Sequence, residues 1–175
     1  MNKTINTERL QLRAWEEKDL EDFAKMNADS TVMEFYPSIM SREESDVLAR
    51  KIIDHLNANE WGLWAVSQAD QNNFIGYIGL SKLDYIPAIE IGWRLAREYW
   101  NQGYATEGAS AVLKFGFENL NLDEIISVTS YQNLRSRRVM EKIGMVRDFK
   151  ADFDHPKLPP GHILRPHVLY RINKS

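Results

Sequence analysis

Glu90 is a lone carboxylate in an apolar run, Ala88-Ile89-Glu90-Ile91-Gly92. A carboxyl group taken out of water ionises less readily, and one whose pKa climbs toward neutrality suits a general base. Strand alternation equally allows an outward-facing Glu on a solvated sheet surface. A second chemical feature is the turn Tyr99-Trp100-Asn101-Gln102-Gly103-Tyr104-Ala105-Thr106. Gly103 can take a positive φ and let a ligand approach the backbone closely. Apolar or small residues at 105, 109, 112, 113, 116, 117 and 120 follow, the spacing of a helix with one buried face. A glycine turn feeding a helix start presents unpaired N–H groups and the positive end of the helix dipole, which suit phosphate. No Gly-Lys-Ser/Thr follows, and no second glycine completes a dinucleotide fingerprint. An ordinary strand–helix turn explains the glycine as well.

Asn133 opens a third segment, in which Ser136 sits among Arg135, Arg137 and Arg138. Asn133 fits a helix cap. The arginines fit a solvated helix face or contacts to a phosphate. His155, His162 and His167 are irregularly spaced, and apart from Asp154 no acidic pair completes a familiar ligand set, so no metal site is expected.

These groups need elements to hold them. Alternation over 9–15 predicts a half-buried strand with Leu10, Leu12 and Ala14 inward and Arg13 outward. A helix over 19–26 follows. Ser41 with Glu44 forms a capping box for a helix to about residue 56, with Val47, Leu48, Ile52 and Leu56 inward. Strands at 61–67, 74–83 and 89–95 are joined by short turns and form an antiparallel meander. The helix after Gly103 leads to an apolar strand at 124–130, and a strand–helix–strand unit implies a parallel, right-handed crossover. A short helix over 134–143, a strand at 145–149, a loop over 151–166 and a strand at 168–172 complete the chain. Gly144 fits the helix C-cap. The fold class expected is α+β: a mixed, mostly antiparallel twisted sheet with one parallel strand pair and about four helices. Residues 1–175 read as a single domain.

Bulk properties narrow the function. A formal net charge of −3 argues against a nucleic-acid partner bound by bulk electrostatics. With no cysteine there is no disulfide, no thiolate nucleophile, no Cys-based zinc site and no acetyl-cysteine route. The first residues lack a signal-peptide pattern, and no run of about 18 apolar residues spans a membrane. A cytoplasmic protein with no membrane partner is expected.

The segments EIGW…YWNQGYATEGA and Asn133 to Met145, with the opening Thr7-Glu8-Arg9-Leu10-Gln11-Leu12-Arg13 and the strand Phe74-Ile75-Gly76-Tyr77-Ile78-Gly79-Leu80, resemble the GNAT superfamily of acetyl-CoA-dependent N-acetyltransferases. The resemblance is nearest to its RimJ/RimL-like branch and runs over nearly the whole chain. It implies that the parallel strands splay to accept the pantetheine arm of acetyl-CoA. It implies that Gln102, Gly103, Tyr104, Ala105 and Thr106 hold the pyrophosphate, and that Ile91, Gly92, Trp93 and Asn133 contact the cofactor. The amide of Ile91 or Gly92 then stabilises the oxyanion, and Glu90 is the base.

The chain departs from the family pattern twice. Trp100 replaces an Arg or Gln before the glycine, and Met140 replaces a tyrosine that serves as acid. The branch suggests Ser136 in that role. For the acceptor, Phe35 and Tyr36 form one lip and Asp154 and His155, in the Pro-stiffened segment 152–162, form the other. That segment serves alternatively as a structural arm or dimer contact. The activity implied is acetyl transfer to a small-molecule amine or protein N-terminal amine, by direct attack in a ternary complex, in a monomer or homodimer. The alternative is a catalytically silent CoA-binding protein.

Overall fold

Residues 4–174 are described by a computed structural model, in which the hydrophobic periods become elements in the expected order. They run Ile5–Asn6 (β1), Leu10–Arg13 (β2), Asp19–Ala28 (α1), Arg42–Asn59 (α2), Leu63–Gln68 (β3), Phe74–Lys82 (β4), Ile89–Leu95 (β5), Tyr104–Glu118 (α3), Glu124–Ser130 (β6), Leu134–Lys142 (α4), Val146–Arg147 (β7), Phe153–Asp154 (β8) and Pro166–Asn173 (β9). One sheet takes the order β1-β2-β3-β4-β5-β6-β9-β7, with β8 also on β9. Every pairing is antiparallel except β5 with β6.

Two apolar layers cover the sheet. On one face α3 packs Ala109, Val112, Leu113 and Phe115 against Leu10, Trp64, Ile78, Leu80 and Ile91. On the other, α1 and α2 place Phe23, Met26, Ala49 and Ile52 against Ala65, Phe74 and Tyr77. The capping box at Ser41 forms with both hydrogen bonds present. Val47, expected inward, is exposed. The buried stripe of α2 is Ser45, Ala49, Ile52 and Leu56, and position 47 lies off that three- and four-residue spacing.

Three expectations need correction. Arg13 is buried, not outward: its Nη1 and Nη2 donate to the two carboxylate oxygens of buried Asp19 at 2.7 and 2.9 Å. Asp19 also accepts from the Glu16 amide, so one carboxylate ties β2 to the start of α1. The strand expected over 145–149 is only Val146–Arg147. The region 151–166 is not a plain loop, because β8 pairs Phe153 with His167 and Asp154 with Pro166 at the head of β9.

The Arg13–Asp19 pair makes a stability prediction. Asp19→Ala strands a buried guanidinium and is expected to cost about 3–5 kcal/mol, read by urea unfolding at neutral pH. A loss under about 1 kcal/mol would reduce the pair to the worth of an exposed one.

Candidate active site

The parallel ladder between β5 and β6 is short, with Glu90 beside Ile126. Beyond it the strands part. Val128 N–H and the Ile91 carbonyl are the groups that a continued parallel ladder would join. Instead Ser127 Oγ donates to the Ile91 carbonyl at 2.9 Å, and Val128 N–H donates to Glu90 Oε1 at 3.4 Å. Ser81 Oγ donates to Glu90 Oε2 at 3.5 Å. The splay thus takes Glu90 as a substitute strand partner.

Glu90 is half-buried, and its carboxyl group is held between Val128 N–H and Ser81 Oγ. Burial pushes its pKa up to about 7, against the hydrogen bonds from Val128 and Ser81 that favour the charged form. The outward, solvated alternative does not hold.

The direction of the Ile91 carbonyl also orients the amides around it. Backbone groups of alternate residues point to the same neighbouring strand. Ile91 and Trp93 therefore face β6 and the splay, while Gly92 faces β4, where it pairs with Gly79. An oxyanion in the splay meets the Ile91 and Trp93 side of the strand and not the Gly92 amide. Gly92 matters differently: a Cβ built there meets nothing within 4 Å, so open space lies above it.

The turn before α3 has the conformation that the glycine predicts. Gly103 is the N-cap with φ of +82°. Glu107 N–H to Gly103 O, at 3.0 Å, is the first helical bond, which leaves the amides of Tyr104, Ala105 and Thr106 without intrahelical partners. Arg9, which sequence reasoning missed, fixes this turn. It donates to the Gln102 carbonyl at 2.9 Å, pairs with Glu107 at 2.7 Å and lies over the Tyr104 ring. Burial alone would raise the Glu107 pKa, but hydrogen bonds from Thr7 and Arg9 hold it below the usual value. Trp100 anchors the other end of the turn by donating to the Leu95 carbonyl at 2.8 Å.

A cleft of about 710 Å³ runs from this helix start to α4. Of the expected site residues, Trp93, Gly103, Tyr104, Ala105, Thr106, Asn133, Ser136, Phe35 and Tyr36 line it. So do Arg135, Arg137 and Arg138. Asn133 is the N-cap of α4: its Oδ1 accepts from Ser136 N–H and its Nδ2 donates to Thr129 Oγ1. Met140 is 1% exposed in the core, so that position supplies no acid. Arg135 lies over the Trp100 and Phe35 rings and pairs with Glu34 at 2.6 Å, joining α4 to the 31–36 turn.

Ile91, Gly92, Gln102, Glu90, Asp154 and His155 stand outside this cleft wall. Ile91 is fully buried, and Gln102 directs its amide to the Glu98 carbonyl. Asp154 pairs with Arg165 at 3.1 Å. His155 packs among Tyr85, Phe153 and His167, where burial lowers its pKa. On the α1/α2 face, sequence reasoning also missed Arg94, a buried residue of the cleft wall. Its position four residues after Glu90 on one strand face was the available signal.

A mostly antiparallel sheet with one splayed parallel pair, flanked by four helices and opening on a helix start, is the GNAT fold. A family model described as acetyltransferase (GNAT) domain matches residues 9–146; the chain belongs to this family and is an N-acetyltransferase. It is 35% identical over 144 residues to the uncharacterized N-acetyltransferase YnaD of Bacillus subtilis (strain 168), covering 82% of this chain and 83% of that protein. A GNAT-family acetyltransferase structure from Bacillus anthracis superposes with a TM-score of 0.82 at 32% identity, over 98% of each chain. The spermidine N-acetyltransferase of Vibrio cholerae, solved with CoA and spermine, gives 0.74 at 25% identity, over 95% of this chain and 96% of its own. Among the described residues no helix is long and apolar enough to cross a membrane, and no cluster of metal-ligating side chains occurs.

The burial of Glu90 carries a pH signature. Its native pKa of about 7 exceeds the ordinary 4.5. The native state therefore keeps a proton that the unfolded chain releases, so stability falls as pH rises from 4.5 to about 7 and then levels off. Glu90→Gln is expected to remove that fall, on the order of 3 kcal/mol, in urea unfolding followed across the window. An unchanged slope would mean that the native carboxyl group is solvated.

Proposed function

We propose that the protein transfers the acetyl group of acetyl-CoA to a primary amine by direct attack in a ternary complex. The observation that carries this reading is the carboxyl group of Glu90, buried at the head of the splay and poised to ionise near neutrality. The relative solved with CoA supports acetyl-CoA as donor.

The free amides of Tyr104, Ala105 and Thr106 suit a pyrophosphate at a helix start. Gly103 adds close backbone approach there, and Gln102 only its backbone. Arg135, Arg137 and Arg138 line the same cleft with positive charge. Asn133 shapes the α4 side as its cap. The pantetheine arm then runs between β5 and β6, and the thioester carbonyl meets the Ile91–Trp93 edge. The amine nitrogen attacks the carbonyl carbon, and Glu90 takes a proton from it, directly or through one water. The tetrahedral oxyanion collapses, the C–S bond breaks and the thiolate leaves. Ser136 lines the cleft and is the hydroxyl that the RimJ/RimL-like branch suggests in place of the missing acid.

Phe35 and Tyr36, in the cleft wall, form one acceptor lip, and Asp154 and His155, which stand outside that wall, are proposed as the other. The acceptor is a small amine or a protein N-terminal amine. We also propose the RimJ/RimL-like branch, which the opening Thr7–Arg13 segment resembles; in the structure that segment anchors Glu107 and the glycine turn. The match to the acetyltransferase family model and to a relative named as an N-acetyltransferase favours this reading over the silent CoA-binding alternative.

The test is thiol release over an amine panel. Glu90→Gln is expected to lower kcat by about 100- to 10,000-fold, with the acetyl-CoA KM little changed. In the native enzyme kcat/KM should rise with pH through about 7, as Glu90 ionises. Ser136→Ala should cost less, because a thiolate leaves readily. A loss below about threefold in Glu90→Gln, against the hundredfold minimum for a lost base, would sink the assignment.

A further inference from the structure

Among the described residues, Arg94 is a cation without a counter-ion. It is only 6% exposed, and its Nη1 donates to Asn27 Oδ1 at 2.6 Å. The Tyr36 ring lies 4.0 Å from the guanidinium carbon and the Tyr77 ring 5.4 Å. Nε has no hydrogen-bond partner. The groups that act on its charge are Tyr36 and Tyr77, and among the described residues no carboxylate pairs with it. Removing a guanidinium from water without an anion is costly, and an amide with two phenol rings repays little of that cost.

Its place in the fold gives the charge a use. Register pairs Ser81 with Glu90, Gly79 with Gly92 and Tyr77 with Arg94, so Glu90, Gly92 and Arg94 share the β5 face toward α1 and α2. The space above Gly92 is open, and Arg94 lines the cleft. On this face a carboxyl group and a guanidinium thus stand on either side of the open backbone at Gly92.

We propose that Arg94 is an anion-recognition residue and that the acceptor is an amine carrying a carboxylate remote from its nitrogen. This rests on the acetyl-transfer reading above for the role of Glu90. Four strand residues set the two Cα atoms about 13 Å apart. An extended 6-aminohexanoate with a hydrogen bond at each end bridges that order of distance, whereas glycine does not. A guanidinium binds a carboxylate through paired, charge-assisted hydrogen bonds, which a carboxamide cannot match. Polyamines place positive charge where Arg94 already stands and are poor acceptors on this account.

Calorimetry on the CoA complex compares 6-aminohexanoate with 6-aminohexanamide. The acid is expected to bind at least about tenfold more tightly than the amide. Arg94→Gln should abolish that preference and Arg94→Lys should keep part of it, with thermal melts checking the fold of both. The acid-to-amide ratio is internal to each protein, so a purely structural role for Arg94 leaves it unmoved. Equal affinities in the native protein, no binding of either compound, or a preference that survives in Arg94→Gln would each overturn the proposal. Thiol release separates the two readings. Preference for the acid without turnover keeps the anion site and removes the transferase, while turnover without preference does the reverse.

Discussion

The structure depends on one broken ladder. Two parallel strands begin to pair at Glu90 and Ile126 and then part, which leaves backbone donors and acceptors in the middle of a sheet. Such groups are costly when buried and unpaired. Here the sheet supplies substitutes: the Ser127 hydroxyl for the Ile91 carbonyl and the Glu90 carboxylate for the Val128 amide. The repair draws a carboxyl group into the opening. Burial there raises the pKa of Glu90, while the hydrogen bonds from Val128 and Ser81 work against that rise.

The rest of the molecule holds the two sides of the opening apart. On one side, α3 begins with free amides, and Arg9 fastens its turn to the start of β2. On the other, β5 is linked to α1 and α2 by a buried polar chain from Arg94 to Asn27 to Ser45. The Arg135–Glu34 pair joins the two sides at the mouth, where it is exposed and adds little stability. Positive charge from Arg135, Arg137 and Arg138 thus gathers at the α4 end of the cleft. The α1/α2 face of β5 carries one cation and one titratable acid, with Gly92 between them.

Where reading and structure part, the cause is local. Arg13 follows strand alternation outward in the sequence, but the nearby helix start offers Asp19 as a buried partner, and the pair goes in together. The 151–166 stretch looks like a loop because two residues of strand carry no period, yet the head of β9 has a free edge that Phe153 and Asp154 pair with. Asp154 reads as an acceptor contact but has Arg165 as its partner. Gly92 and Trp93 are equivalent in a string of letters. Only the direction of the Ile91 carbonyl tells which amide faces the opening.

The sequence by itself determined the elements that rest on local chemistry. These are the apolar strands, the amphipathic α3, the Ser41 box, the Gly103 turn and the parallel crossover that follows from a strand–helix–strand order. It also singled out Glu90, because a charge in an apolar run is visible without coordinates. Tertiary structure alone decided what the splay does with that charge. It also decided that Arg9 holds a turn more than 90 residues away, and that Arg94 is buried with no counter-ion among the described residues. Hydrogen-bond direction, burial and pairing between distant segments are properties of distances in space. Periodicity and residue type record only which face a side chain prefers, not which group it meets there.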